Sequence, residues 1–250
     1  MRTIVILFFL FVSFFTNAQP LSKVFEQGNQ LYKNADYRGA INTYHKIENT
    51  GFQSDALYFN LANSYYKLNE VAPSVYYYEK ALKLNPMNED AKYNLVLANR
   101  LTIDQIDEVP KTLLQRFEAN VLHKFSIHQW AVISIVFSVL TALVFLMYYF
   151  SLSSLLKRIF FSLSLVTFSL MLISVMIAYT GLDYHKKNQP AIVFSEKAQI
   201  KNAPTFNSED VFTLHEGTKV MVLDEVDDWY KIKLSDGKIG WVRTGVLKII

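Results

Sequence analysis

The sequence predicts a multidomain membrane protein: an all-α solenoid of helical repeats, a two-helix transmembrane hairpin and a small all-β barrel. Three features predict it. A block of 34 residues recurs before residue 105, two long runs free of Asp, Glu, Lys and Arg occupy 125–156 and 159–182, and short β-rich runs fill 191–250. Only 19% of the 250 residues are charged, against about 25% in ordinary soluble domains. The chain is too apolar to be wholly water-soluble.

Residues 1–18 (MRTIVILFFLFVSFFTNA) carry one cation, then an apolar run, then small residues at Thr16 and Ala18. That is the layout of a signal peptide with cleavage after Ala18. The alternative is an uncleaved anchor, and either way the chain beyond Gln19 is exported.

Residues 21–104 hold the repeats: 21–54, 55–88 and a partial third, 89–104. Gly28 aligns with Ala62, Tyr32 with Tyr66, Lys33 with Lys67, Tyr44 with Tyr78 and Lys46 with Lys80. Small residues at Gly28, Ala40, Ala62 and Ala81, the aromatics Tyr44 and Tyr78, and Pro86 resemble the tetratricopeptide repeat, with Ser74 standing where that pattern has Ala. The resemblance implies stacked antiparallel helix pairs, in which no repeat buries its apolar face alone. It also implies a concave groove lined by the first helices. Phe25, Phe59 and Tyr93 recur at one phase, Asn29 and Asn63 at a second, Tyr32 and Tyr66 at a third. The expectation is an aromatic ladder with amide hydrogen-bonders, suited to a peptide or protein partner. The alternative is that some of these rings fill helix–helix contacts.

Residues 105–126 form a juxtamembrane segment in which Leu114, Phe117, Val121 and Phe125 fall at amphipathic spacing. It suits a cap on the repeats or a helix on the membrane surface.

The spans are expected at 128–150 and 159–180, with a cytoplasmic turn at 151–158 and a linker at 181–190. Each is long enough to cross about 30 Å of hydrocarbon. Trp130, Tyr148, Tyr149, Tyr179 and Tyr184 sit at the ends, where amphipathic rings favour the interface. Export places both larger flanks outside the cytoplasmic membrane, and a hairpin keeps them on one face whatever the orientation. Ser134, Ser138 and Ala142 recur at four-residue spacing, a pattern that lets helix backbones approach and that serves pairing with the second span as well as with a partner. The spans carry no mid-membrane Asp, Glu, Lys or Arg, which argues against an ion pathway.

Residues 191–250 read as five to seven short strands, with Asp236-Gly237 as a tight hairpin. LHEGTKVMVL, DDWYKIKL and DGKIGWV resemble a bacterial SH3 (SH3b) domain, giving an SH3-like barrel. Trp229, Tyr230 and Trp241 are its candidate surface for peptide or peptidoglycan. Strand alternation puts at least one Trp in the core, core is the favoured reading for both, and the alternative gives the other a place in an exposed aromatic groove.

Charge excludes one class of function. Residues 19–126 carry 12 basic and 12 acidic side chains, and 181–250 carry 10 of each. Neither flank has the basic face that nucleic acid needs. The chain has no Cys, so thiol catalysis and Cys-ligated metals are excluded. No metalloprotease, phosphate-loop or nucleophile-elbow motif is present, and the five His are scattered. No enzyme activity and no cofactor are expected.

The order of modules, with EDAKYNLVLANR and IDQIDEVP before the spans and FTLHEGTKVMVL after them, resembles the BatE family of the Bacteroides aerotolerance (Bat) operon. The resemblance implies a non-enzymatic membrane scaffold whose partners are membrane proteins with von Willebrand A domains. The alternative is a peptidoglycan-binding or envelope-sensing protein acting through the SH3b domain.

Overall fold

The computed structural model describes residues 19–106, 109–110, 112, 124–187 and 189–250. The expected signal peptide and most of the expected amphipathic segment lie outside the described residues.

Among the described residues, five helices come first: α1 (Gln19–Lys33), α2 (Tyr37–Glu48), α3 (Asp55–Lys67), α4 (Val71–Leu84) and α5 (Glu89–Asn99). Their ends repeat as their interiors do. Ser54 and Asn88, one period apart, cap α3 and α5 by accepting the N–H of Leu57 and Ala91. Each cap satisfies a donor that the helix cannot. Asp36 caps α2 through Gly39 N–H, whereas its equivalent Glu70 makes no cap bond and pairs with Arg38 at 2.6 Å. Ala35 and Asn69 adopt matching left-handed turns before α2 and α4.

The small residues of the pattern are needed sterically. A Cβ on Gly28 would lie 2.4 Å from Tyr44 Cε1, and Tyr44 is fully buried. Ala40, Ala62 and Ala81 are likewise buried. Ser74 is accommodated because its hydroxyl donates to the Ala62 carbonyl at 3.2 Å. A buried hydroxyl without such an acceptor would be costly.

Two helices long and apolar enough to cross a membrane follow, α6 (Ile127–Phe150) and α7 (Ser154–Lys187). Ser126 and Gln129 close a capping box at the start of α6. The turn is shorter than expected, 151–153, and Lys157 and Arg158 belong to α7. The expected linker is mostly helix, because α7 runs to Lys187 and the first strand starts at Gln189. Gly181 does not stop α7. It faces Ile127, whose Cγ1 would be 3.3 Å from an added Cβ.

Within the hairpin the small residues expected to pack on α6 divide. Ser134 is half-buried, but Ser138 and Ala142 are exposed. The inward stripe of α6 is Ser134, Phe137, Thr141, Val144 and Tyr148, spaced alternately three and four apart. Close approach comes from α7 instead, where Ser164 and Ser174 are buried and the Thr141 and Thr167 hydroxyls meet at 3.0 Å. A helical stripe advances by about 3.5 residues, so a strict four-residue spacing drifts off the contact.

The C-terminal sheet has seven strands: β1 (Gln189–Val193), β2 (Lys197–Lys201), β3 (Asp210–His215), β4 (Lys219–Val226), β5 (Trp229–Lys233), β6 (Ile239–Arg243) and β7 (Leu247–Ile249). Their order is β3-β2-β6-β5-β4-β1-β7, all antiparallel. Gly237 turns the β5–β6 hairpin at φ 94°. One face gathers Val193, Ile200, Leu214, Val220, Ile232 and Val242 into a single core.

The sheet does not stand apart from the repeats. Ile192, Phe194 and Ile250 pack into the repeat core. The Tyr76 ring meets Phe194 edge-on at 5.6 Å, Lys83 Nζ donates to the Ile250 carbonyl at 2.7 Å, and Lys219 pairs with Glu79 at 2.7 Å. Apolar contact and polar rim together join α4 to β1 and β7.

Candidate interaction surfaces

The rings named for the repeat groove have divided roles. Phe25 lies 5.8 Å from Tyr44, and Phe59 lies 6.1 Å from Tyr78, each half-buried between helices. Tyr32 packs edge-on against Tyr37 at 5.2 Å, and Tyr66 is half-buried against the repeat core. Tyr93 differs. It is 67% exposed and is the ring best placed to meet a partner.

The amides form a relay at the repeat period. Asn29 Oδ1 accepts from the Tyr44 hydroxyl at 2.8 Å and from Asn60 Nδ2 at 2.9 Å. One repeat later Asn63 Oδ1 accepts from the Tyr78 hydroxyl and from Asn94 Nδ2. Both carbonyls are thus engaged within the solenoid, joining consecutive first helices to the second helix between them. Burial raises the Tyr44 hydroxyl to about 12, with smaller opposing and reinforcing effects from Asn60, Tyr32 and Glu26. It remains a neutral donor throughout the physiological range.

A second polar cluster joins α2 to α4. Glu48 accepts from Lys80 at 2.7 Å and from the Tyr77 hydroxyl at 2.9 Å, and contacts His45 Nδ1 at 2.9 Å. His45 Nε2 meets the Tyr65 hydroxyl at 2.8 Å, and Lys80 Nζ lies 4.0 Å over the Tyr58 ring. Burial alone would raise the Glu48 carboxyl, but the hydrogen bonds from His45, Lys80 and Tyr77 outweigh it and hold it at about 2. The cluster has the composition of an acid–base site, yet its polar atoms are spent on one another. It is a stitch between helices.

On the SH3-like sheet the two Trp residues lie on the face opposite the main cluster, Trp229 buried and Trp241 half-buried. Trp229 stands opposite Arg243, and Lys231 opposite Trp241, so these four side chains share the outer face. Trp229 is nevertheless buried, because Phe206 covers it edge-on at 5.5 Å. Arg243 lies 5.2 Å from the Phe206 ring, and Lys231 5.8 Å from that of Trp241. Tyr230 points the other way and packs on the core. Phe206 was not singled out from sequence; its signal is a lone aromatic within the polar run NAPTFNSED.

The remaining contact also escaped the sequence. Asp104, just beyond α5, accepts the His215 N–H at 2.6 Å and the Thr218 hydroxyl at 2.6 Å, and its other oxygen lies 2.8 Å from His215 Nδ1. Burial would raise this carboxyl, but the bonds from Thr218 and His215 outweigh burial and lower it. Among the described residues, no group of three or more His, Asp or Glu could hold a metal ion.

Comparison with known proteins bears on two of these units. A tetratricopeptide-repeat family profile matches residues 56–88, and a bacterial SH3 domain profile matches 196–248. Sperm-associated antigen 1 of Rattus norvegicus is 32% identical over 85 residues, and that of Mus musculus 31% over 85; each match covers 34% of this chain. The chain spans only 10% and 9% of those relatives' lengths. A crystal structure of an NlpC/P60 family protein from Bacillus cereus is 20% identical, covers 28% of this chain and 23% of its own, and has a TM-score of 0.21. The chain is therefore of a defined kind: it joins a tetratricopeptide-repeat unit to a bacterial SH3 domain through two apolar helices.

Proposed function

We propose that this chain is a non-enzymatic scaffold anchored in the bacterial cytoplasmic membrane, presenting its repeat and SH3b modules together on the periplasmic side. The observation that carries the reading is the docking of β1 and β7 on α4, which makes one head of two binding modules. Two apolar helices joined by a turn of 151–153 support the anchor and return the chain to the side it left. The likeness to the BatE family supplies the partner class, membrane proteins with von Willebrand A domains in a Bat complex.

Co-purification from detergent tests the scaffold. Such partners should be retained by the full chain and lost when residues 21–104 are removed; retention without the repeats overturns it. Protease added outside the cytoplasmic membrane should cut both soluble modules, and protection of either overturns the placement.

A second reading, peptidoglycan binding, is favoured by the outer face carrying Phe206, Trp241, Lys231 and Arg243. Aromatic faces beside cations suit sugars that bear carboxylates. The full chain should sediment with purified sacculi, and Trp241→Ala should weaken this; no sedimentation removes the reading.

A further inference from the structure

The chain that leaves α5 lies against the SH3-like sheet as a bound peptide would. Thr102 sits over Gly217, where a Cβ would come 2.8 Å from its Cγ2. Gly217 itself has φ 84°, so a side chain there would be both strained and obstructed. Asp104 puts its carboxylate into a cradle formed by the backbone N–H of His215, the His215 ring and the Thr218 hydroxyl. Two residues on, Ile106 packs against the core of the sheet. Further along, Val109 N–H donates to the Ser235 carbonyl at 3.2 Å.

Beside this segment a cavity of about 470 Å³ remains open, lined in part by Ile106, Phe212, Leu214, Leu234 and Lys238. The resident segment therefore does not fill the surface it occupies. Each contact uses a short local pattern: a carboxylate, an aliphatic side chain two residues later, then a main-chain donor. None requires covalent continuity with the repeats. A carboxylate that accepts two main-chain or hydroxyl donors is a strong, oriented anchor, and an alternate aliphatic position supplies register.

We propose that this face of the SH3b domain is a binding site for an extended acidic peptide bearing Asp and, two residues on, an aliphatic residue. The chain's own Thr102–Ile106 holds the site in cis until a partner segment of that pattern replaces it. This deepens the reading of the SH3b domain as a binding module by stating its ligand chemistry. Tethering gives the resident segment a high effective concentration, so a single free peptide competes poorly and a partner anchored by a second contact, such as the repeat groove, competes well.

The test uses the full chain in detergent micelles and a labelled synthetic peptide of residues 101–110, read by fluorescence anisotropy. The Asp104→Ala/Ile106→Ala chain, with its site vacated, should bind the peptide at least about tenfold tighter than the unaltered chain, which carries the tethered competitor. Adding His215→Ala and Thr218→Ala should remove that gain, and a peptide with Ala at the Asp104 position should not bind. Equal binding by vacated and unaltered chains, or by both peptides, overturns the proposal. A second measurement needs no substitution: a large excess of peptide should free the resident segment of the unaltered chain and speed tryptic cleavage after Arg100, and unchanged cleavage counts against it. Neither assay involves a cellular partner, so failure of the co-purification experiment is separable from failure here.

Discussion

Asp104 and His215 are 111 residues apart and stand on opposite sides of both apolar helices in the sequence, yet the carboxylate of one receives the backbone N–H of the other at 2.6 Å. The segments before and after the hairpin are thereby joined at a second place, apart from the packing of β1 and β7 on α4.

Removing that joint should loosen the head without unfolding its parts. Asp104→Ala leaves the His215 N–H and Thr218 hydroxyl without their acceptor, a loss of about 1–3 kcal/mol in docking. Faster amide exchange at 214–219, with the repeat helices unchanged, is the expected outcome. The carboxyl is lowered in the folded chain, so its contribution is present above its unfolded pKa and fades as pH falls through the lower folded value. Acid should loosen unaltered protein and have little further effect on the Asp104→Ala chain.

Glu48 makes the corresponding prediction for the repeats. Its carboxyl is held at about 2 against an ordinary 4.5, so its stabilisation is complete above 4.5 and is lost between there and about 2. Glu48→Ala should lower stability at neutral pH by about 1–3 kcal/mol, because Lys80 and Tyr77 lose their acceptor. Thermal unfolding followed at pH 7 and again near pH 3 should show the difference between variant and parent shrinking; a constant difference contradicts the assignment.

Overpacking at Gly28 should be felt through Tyr44. An added methyl at 2.4 Å from a fully buried ring forces a shift, costing about 1–3 kcal/mol. Gly28→Ala should therefore lower the unfolding temperature, whereas alanine at exposed Asn42, on the next helix, should leave it nearly unchanged.

For the apolar hairpin, Thr141→Leu should weaken α6–α7 pairing by about 1 kcal/mol by removing the hydroxyl contact with Thr167. Ser138→Leu and Ala142→Leu, on the exposed side, should have no effect. Disulfide trapping between Cys pairs introduced on facing positions measures the difference.

On the sheet, Phe206→Ala uncovers Trp229. The expected readout is a red-shifted tryptophan emission with unchanged far-UV circular dichroism. An unshifted spectrum would mean that Phe206 does not shield the indole.

The unit plan was legible because its signals are local. A 34-residue recurrence, two charge-free runs and an Asp-Gly hairpin each declare themselves within a short window, since helix and strand periods are properties of neighbouring residues. The Gly28–Tyr44 fit follows from the repeat pattern for the same reason. What went astray depended on the partner surface. That Trp229 and Trp241 share one face follows from the β5–β6 register, and which face is inward rests on Ile232 and Val242 packing with strands distant in sequence. Asn29 and Asn63 share a phase in the sequence, but their carbonyls are satisfied by tyrosines 15 residues on.

The amino-acid order by itself determined the kinds of unit and their succession: helical repeats, two apolar helices and a β-rich terminus. Only the tertiary structure decided that α7 supplies the small residues for close approach, that Phe206 roofs Trp229, and that Asp104 reaches the His215–Thr218 cradle. The physical reason is range. Periodicity is written into adjacent side chains, whereas a hydrogen bond across 111 residues exists only after the chain has closed on itself.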